Sequence, residues 1–198
     1  PDRTRPPVPY ALRAASWRGE ADGERLRLEG SVEIDALQSG WQRIPLTIAG
    51  LGVESALLDD KPALLLPRKD GYDLVVEGAG AHRLTLVLRG VAPVQGEAHA
   101  IAFSLPAVPL AKLELSVSGR DAEISLKPEV ASTSAPGPDG RTTLTAWLGP
   151  VEKLELGWRR KPEEGPTETP LVFADEQHFV TVDRGVVRTT ATIRLTVH

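Results

Sequence analysis

A proline or glycine interrupts this chain about every 8–15 residues, too often to leave room for amphipathic helices of ordinary length. The 198 residues include 18 glycines and 17 prolines. Between these breaks the apolar residues recur at every second position, the period of a strand with one face buried and one face wet. Residues 26–36 (LRLEGSVEIDA) show it most plainly: the even positions are apolar or small and most of the odd ones are polar. No segment offers an apolar stripe at the helical period. About a dozen short strands at this spacing predict an all-β, mostly antiparallel β-sandwich, immunoglobulin-like or jelly-roll-like, with a helical fraction well under about a tenth.

Turn chemistry sets the strand boundaries. Asp59-Asp60-Lys61-Pro62 and Lys69-Asp70-Gly71 are hairpin turns, and Asp183-Arg184-Gly185 is a third. Pro45, inside the β signal of residues 41–48, marks an edge strand or a bulge because proline donates no ladder hydrogen bond. Residues 72–77 and 81–91 flank Gly78-Ala79-Gly80 and are expected to pair as a hairpin, with Leu84, Leu86 and Leu88 fixing the register. The chain then divides into an extended proline-rich segment (1–10), a β-sandwich domain (11–126), a Pro/Gly-rich loop or linker (127–141) and further strands (142–198). The last part completes the sandwich, forms a second small unit or begins a next repeat, so the expectation is one elongated domain or two stacked β units. A second poorly hydrophobic stretch covers 159–170. Repetition is suggested by the rows Leu26, Leu28, Gly30, Val32, Ile34, Ala36 and Val187, Thr189, Ala191, Ile193, Leu195, Val197, each following a turn that contains glycine.

The stretch GAGAH at 78–82 invites a reading as a phosphate loop. That motif needs a third glycine and a following helix, whose N-terminus binds the phosphate. Position 83 is Arg and a strand pattern follows, so the glycines are turn residues. His82 is the remaining chemical candidate, as a base or a ligand, but His99, His178 and His198 are scattered and no metal-ligand spacing occurs. Asp59-Asp60 and Glu163-Glu164 point to opposite sides of any strand they join, and Asp59-Asp60 lacks the alternating spacing of a calcium loop. No G-x-S-x-G elbow is present. Of four tryptophans, Trp17, Trp41 and Trp158 are the candidates for stacking on a sugar ring, against the simpler expectation that tryptophans fill the core.

Composition narrows the function classes. The formal charge is −4 with both signs interspersed, so no nucleic-acid footprint is expected. The chain has no cysteine, which removes thiol catalysis, zinc–thiolate sites and disulfides together. No apolar run of about 18 residues is present to span a membrane as a helix. The chain begins with proline and contains no methionine, as expected of a processed chain or an excised piece. The sequence therefore reads as a non-enzymatic structural or interaction module without a cofactor, part of a larger bacterial protein, extracellular or periplasmic. Its partner would be a protein or a cell-envelope component. The alternative is a carbohydrate- or ligand-binding sandwich using Trp17, Trp41, Trp158 or His82.

Overall fold

The computed structural model describes residues 8–160 and 172–197, in two compact units, Pro1–Lys161 and Pro162–His198. Most of the proline-rich start (1–7), most of the 159–170 stretch and His198 lie outside the described residues. The chain is all-β: among the described residues the one helical element is a single 3₁₀ turn at Pro138–Gly140.

The first unit runs through β1 (Tyr10–Asp22), β2 (Arg25–Ala36), β3 (Trp41–Thr47), β4 (Gly52–Leu58), β5 (Lys61–Pro62), β6 (Leu64–Arg68), β7 (Gly71–Glu77) and β8 (Gly80–Val91). It continues with β9 (Val94–Gln95), β10 (Ala98–Ser104), β11 (Leu110–Ser118), β12 (Glu123–Lys127), β13 (Ala131–Pro136), β14 (Arg141–Trp147) and β15 (Lys153–Arg159). Three sheets result: an eight-stranded sheet ordered β13-β14-β11-β1-β2-β8-β4-β5, a four-stranded sheet β12-β15-β10-β9 and a three-stranded sheet β3-β7-β6. Among the described ladders all are antiparallel except β1–β11, which is parallel. The second unit is a two-stranded hairpin of β16 (Val172–Asp183) and β17 (Val186–Val197).

The alternating rows become one core. Leu26, Leu28, Val32 and Ile34 of β2 are buried, as are Leu84, Leu86 and Leu88 of β8, Leu113, Leu115 and Val117 of β11, and Ile44, Leu46, Leu74 and Val76 of the three-stranded sheet. Each such aliphatic side chain withdrawn from water contributes about 1.5–3 kcal/mol. The two smaller sheets are tied by a bridge in which the Ser104 N–H donates to Ala49 O at 2.8 Å. Proline 45 falls on β3, an edge strand of its sheet, as its missing N–H requires.

The structure corrects two expectations. Residues 72–77 and 81–91 do not pair with each other. β7 pairs with β3 and β6, β8 pairs with β2 and β4, and the two lie in different sheets. The segment between them is a corner where the chain changes sheet. Gly78 (φ 85°) and Gly80 (φ 153°) allow that change of direction as readily as they would allow a hairpin. The corner is held by the Gly78 N–H donating to Gly40 O at 2.9 Å and by the buried Gln42 amide donating to Gly78 O at 3.1 Å and to Gln38 O. Within 127–141, expected to be loop or linker, β13 forms an edge of the large sheet against β14. It reads Ala-Ser-Thr-Ser-Ala-Pro with every residue exposed, so no row of large apolar side chains marks it.

Candidate functional site

The β4–β5 turn and the start of β8 bring the candidate His82 against a carboxylate. Asp59 and Asp60 occupy the turn with φ of 50° and 65°, the left-handed conformation of a tight hairpin that Asp tolerates better than most residues. This turn lies against β8. The Asp59 N–H donates to Arg83 O at 2.9 Å, and the Arg83 N–H donates to Asp59 Oδ1 at 2.8 Å. Asp59 Oδ2 lies 2.7 Å from His82 Nδ1. The Arg83 N–H first, and His82 second, hold the Asp59 carboxyl below the usual carboxylate range. His82 Nε2 is buried without a hydrogen-bond partner among the described residues. The carboxylate thus orients the imidazole, and it also locks the turn to β8.

The three candidate tryptophans fall in three different sheets. Trp17 of β1 is 1% exposed and covers Gly30 on β2. Trp158 of β15 is 4% exposed and stacks on His99 of β10 with ring centroids 5.6 Å apart. His99 Nδ1 lies 3.2 Å from Ala92 O, so this ring too is engaged within the fold. Trp41, the first residue of β3, is 69% exposed. Trp17 and Trp158 lack the free face a sugar ring needs, and the three do not share a plane of one sheet.

The structure adds a residue outside that candidate set. Trp147, the last residue of β14, is 50% exposed opposite Lys112, and Leu110, two positions before Lys112 on β11, is 71% exposed. The signal was legible: Thr142, Leu144 and Ala146 form the buried row of β14, which leaves Trp147 on the wet side.

The wet face of the large sheet is otherwise charged. Arg89 makes a two-pronged contact to Glu54 at 2.6 and 2.9 Å, Arg13 spans Glu33 and Asp35, and Lys112 and Arg18 meet Glu114. Glu54 is held below the usual carboxylate range by its hydrogen bond from Arg89, and Glu114 by its hydrogen bond from Lys112. A groove of about 370 Å³ on this face is lined by Ser16, Arg18, Glu20, Arg27, Glu29 and Glu114, among others. Its volume would suit a ligand, but both of its arginines are already engaged by carboxylates, Arg18 by Glu114 and Arg27 by Glu29. Among the described residues no group of three His, Asp or Glu side chains is gathered to hold a metal ion. No helix among the described residues is long and apolar enough to cross a membrane.

No family model matches this sequence, and no curated protein matches it. Solved structures do resemble it in fold. An M1 zinc metallopeptidase from Deinococcus radiodurans superposes with a TM-score of 0.51 at 13% identity, covering 94% of this chain and 47% of that one. A two-domain M1 zinc metallopeptidase bound to L-tryptophan gives 0.52 at 13% identity, over 93% and 48%. A Legionella pneumophila protein assigned to nutrient binding gives 0.54 at 8% identity, over 76% and 67%. The chain therefore spans about half the length of these metallopeptidases. At such identities the likeness shows the fold alone.

Proposed function

We propose that this chain is a non-enzymatic structural and interaction module of a larger, exported bacterial protein, serving as a spacer or adhesive surface. The observation that carries this reading is that its chemically capable side chains are engaged within the fold. Asp59 and His82 clamp a turn to β8, His99 stacks on Trp158, and Trp17 is packed in the core. Among the described residues the carboxylates that shift, Glu54, Asp59 and Glu114, all shift downward, the opposite of what a general acid at neutral pH requires. A sandwich with one continuous core gives a stiff body that sets distance, while its loops and edge strands are free to meet a partner. That the matched metallopeptidases are about twice as long supports a role as one part of a larger polypeptide.

The test is direct. Purified chain, incubated with zinc and a panel of aminoacyl 4-nitroanilides, is expected to give no turnover. Turnover that disappears in His82→Ala would overturn the reading.

A second reading, binding of a carbohydrate or other small ligand, is favoured by the exposure of Trp41 and Trp147. It predicts that a soluble glycan shifts the tryptophan emission and that Trp41→Phe or Trp147→Phe removes the shift.

A further inference from the structure

The edge of a sheet presents a row of unpaired backbone groups, and folded chains blunt such edges with short strands, charges or proline. The first unit does so at its other edges. β5 and β9 hold two residues each. β12 carries Glu123 and Lys127, and β3 and β6 contain Pro45 and Pro67. β13, the edge of the large sheet beyond β14, is different. It is six residues long, carries no charge and has its proline only at the last position.

The direction of its free backbone groups follows from the turn that leads into β14. The Gly137 N–H donates to Arg141 O at 2.8 Å, so residue 137 turns its N–H toward β14. Backbone direction alternates along an antiparallel ladder, and Ala135↔Thr143, Thr133↔Thr145 and Ala131↔Trp147 are therefore the pairs that bond within the sheet. The N–H and C=O of Ser132 and Ser134 face the other way, where no strand among the described residues pairs with them. Pro136 also falls on this outward side, so its missing N–H takes no bond from the sheet. Residues 131–135 of the strand are in addition a palindrome, Ala-Ser-Thr-Ser-Ala.

We propose that β13 is a self-association edge, on which β13 of a second copy of this chain pairs antiparallel about a two-fold axis through Thr133. A two-fold interface needs a patch that is complementary to itself. In this register Ser132 exchanges N–H···O bonds with Ser134 of the second copy, and Ser134 with its Ser132, and these are the outward-facing residues. Thr133 meets Thr133 and Ala131 meets Ala135, so each side chain faces one of its own kind and no bulky or charged group separates the strands. Ser and Thr pairs of this sort support a ladder. A shift by one residue would set Ser132 against backbone groups that β14 already uses. The second copy is favoured over a foreign peptide because it brings the matching palindrome itself. This rests on the reading of the chain as an interaction module and names the partner of one edge. One short strand pair buries less than the roughly 1,200 Å² of a stable interface, so the dimer is weak and depends on concentration.

Single cysteines test the register, because the chain has none of its own. Across the axis the Cα atoms of the two residues 133 would stand about 4.5 Å apart, within the span of a disulfide. The two residues 132 would stand on a diagonal, about 7–8 Å apart. Under mild oxidation Thr133→Cys should therefore cross-link into a dimer at least about 10-fold faster than Ser132→Cys. Sedimentation of the unaltered chain from about 10 to 500 μM should show a monomer–dimer equilibrium. Ser134→Pro removes an N–H that β14 does not use, so it should leave the thermal unfolding of the diluted chain unchanged and weaken the dimer at least about 10-fold. A chain that is monomeric over the whole range overturns the proposal, whether β13 stays bare, is covered by β16–β17 or takes only a foreign peptide. Equal cross-linking at 132 and 133 overturns it as well, and so does a dimer that Ser134→Pro leaves intact. If Ser134→Pro fails to fold, the cross-linking preference decides. A monomer would leave the interaction-module reading standing, since turnover by the chain is what removes that.

Discussion

Replacing Gly30 by alanine should destabilise the first unit, although alanine normally suits a strand better than glycine. Gly30 pairs with Trp17 across β1–β2, and the indole lies directly over it. A Cβ at position 30 would stand 2.5 Å from Ser16 O and 2.8 Å from Trp17 Cδ2, and would overlap Trp17 Cε3 outright. Neither obstacle is soft: one is backbone, the other a rigid ring that is 1% exposed and has nowhere to go. Overpacking of this kind costs about 1–3 kcal/mol. The smaller conformational freedom of unfolded alanine returns about 0.4–1 kcal/mol. With three contacts to relieve, the upper part of the range applies and the net loss is about 2 kcal/mol, a fall in Tm of about 4–8 °C for a unit of this size. Gly19→Ala is the internal control. Its Cβ would meet the ends of the Leu28 and Leu115 side chains, at 2.5 and 2.8 Å, which can rotate away, so it should cost less. Thermal unfolding followed by circular dichroism measures both. In a Trp17→Leu background the effect of Gly30→Ala should shrink, giving a coupling of about 1–2 kcal/mol. A Gly30→Ala protein as stable as its parent, or equal losses in both backgrounds, would refute the reasoning.

Other outcomes follow from the same structure. Thr142→Val should lower stability by about 1–3 kcal/mol in chemical denaturation, because the buried hydroxyl accepts the Ala122 N–H at 2.9 Å and donates to Gly119 O at 2.8 Å, and both would lose their partner. Asp59 has its folded pKa lowered, so the stability it contributes is present above its unfolded pKa and disappears as pH falls through the folded value. Asp59→Asn keeps the left-handed turn; it should lower Tm at neutral pH and flatten the fall of Tm with acid below about pH 4. Acrylamide should quench the emission of Trp41 and Trp147 and spare Trp17 and Trp158, and Trp41→Phe, Trp147→Phe together should leave an emission that acrylamide barely reaches. Removing residues 162–198 should leave the Tm of the first unit unchanged, since that unit has its own core; a large fall would show the hairpin completing it.

The local part of the fold was legible in the order of the residues. The two-residue period assigned each side chain of β2, β8 and β14 to the wet or the buried face, and turns formed at Asp59-Asp60, at Lys69-Asp70 with Gly71 opening β7, and at Arg184-Gly185. These features depend on neighbours a few residues away, so they are written in the order of the residues. Tertiary structure decided which strands pair. An alternating strand fits beside any other, and β7 and β8 were separated into different sheets by partners far along the chain, β3 and β6 for one, β2 and β4 for the other. The parallel contact of β1 with β11 has no local signature at all, because a parallel pair has no connecting turn to announce it. The candidate site was subject to the same division. That Asp59 sits in a turn was legible, but its meeting with His82 across β4 and β8 depended on strand register. Among the tryptophans, the alternation of β14 places Trp147 on the wet side, whereas the burial of Trp17 and Trp158 and the exposure of Trp41 follow from which layer covers each position, which only the assembled sheets specify.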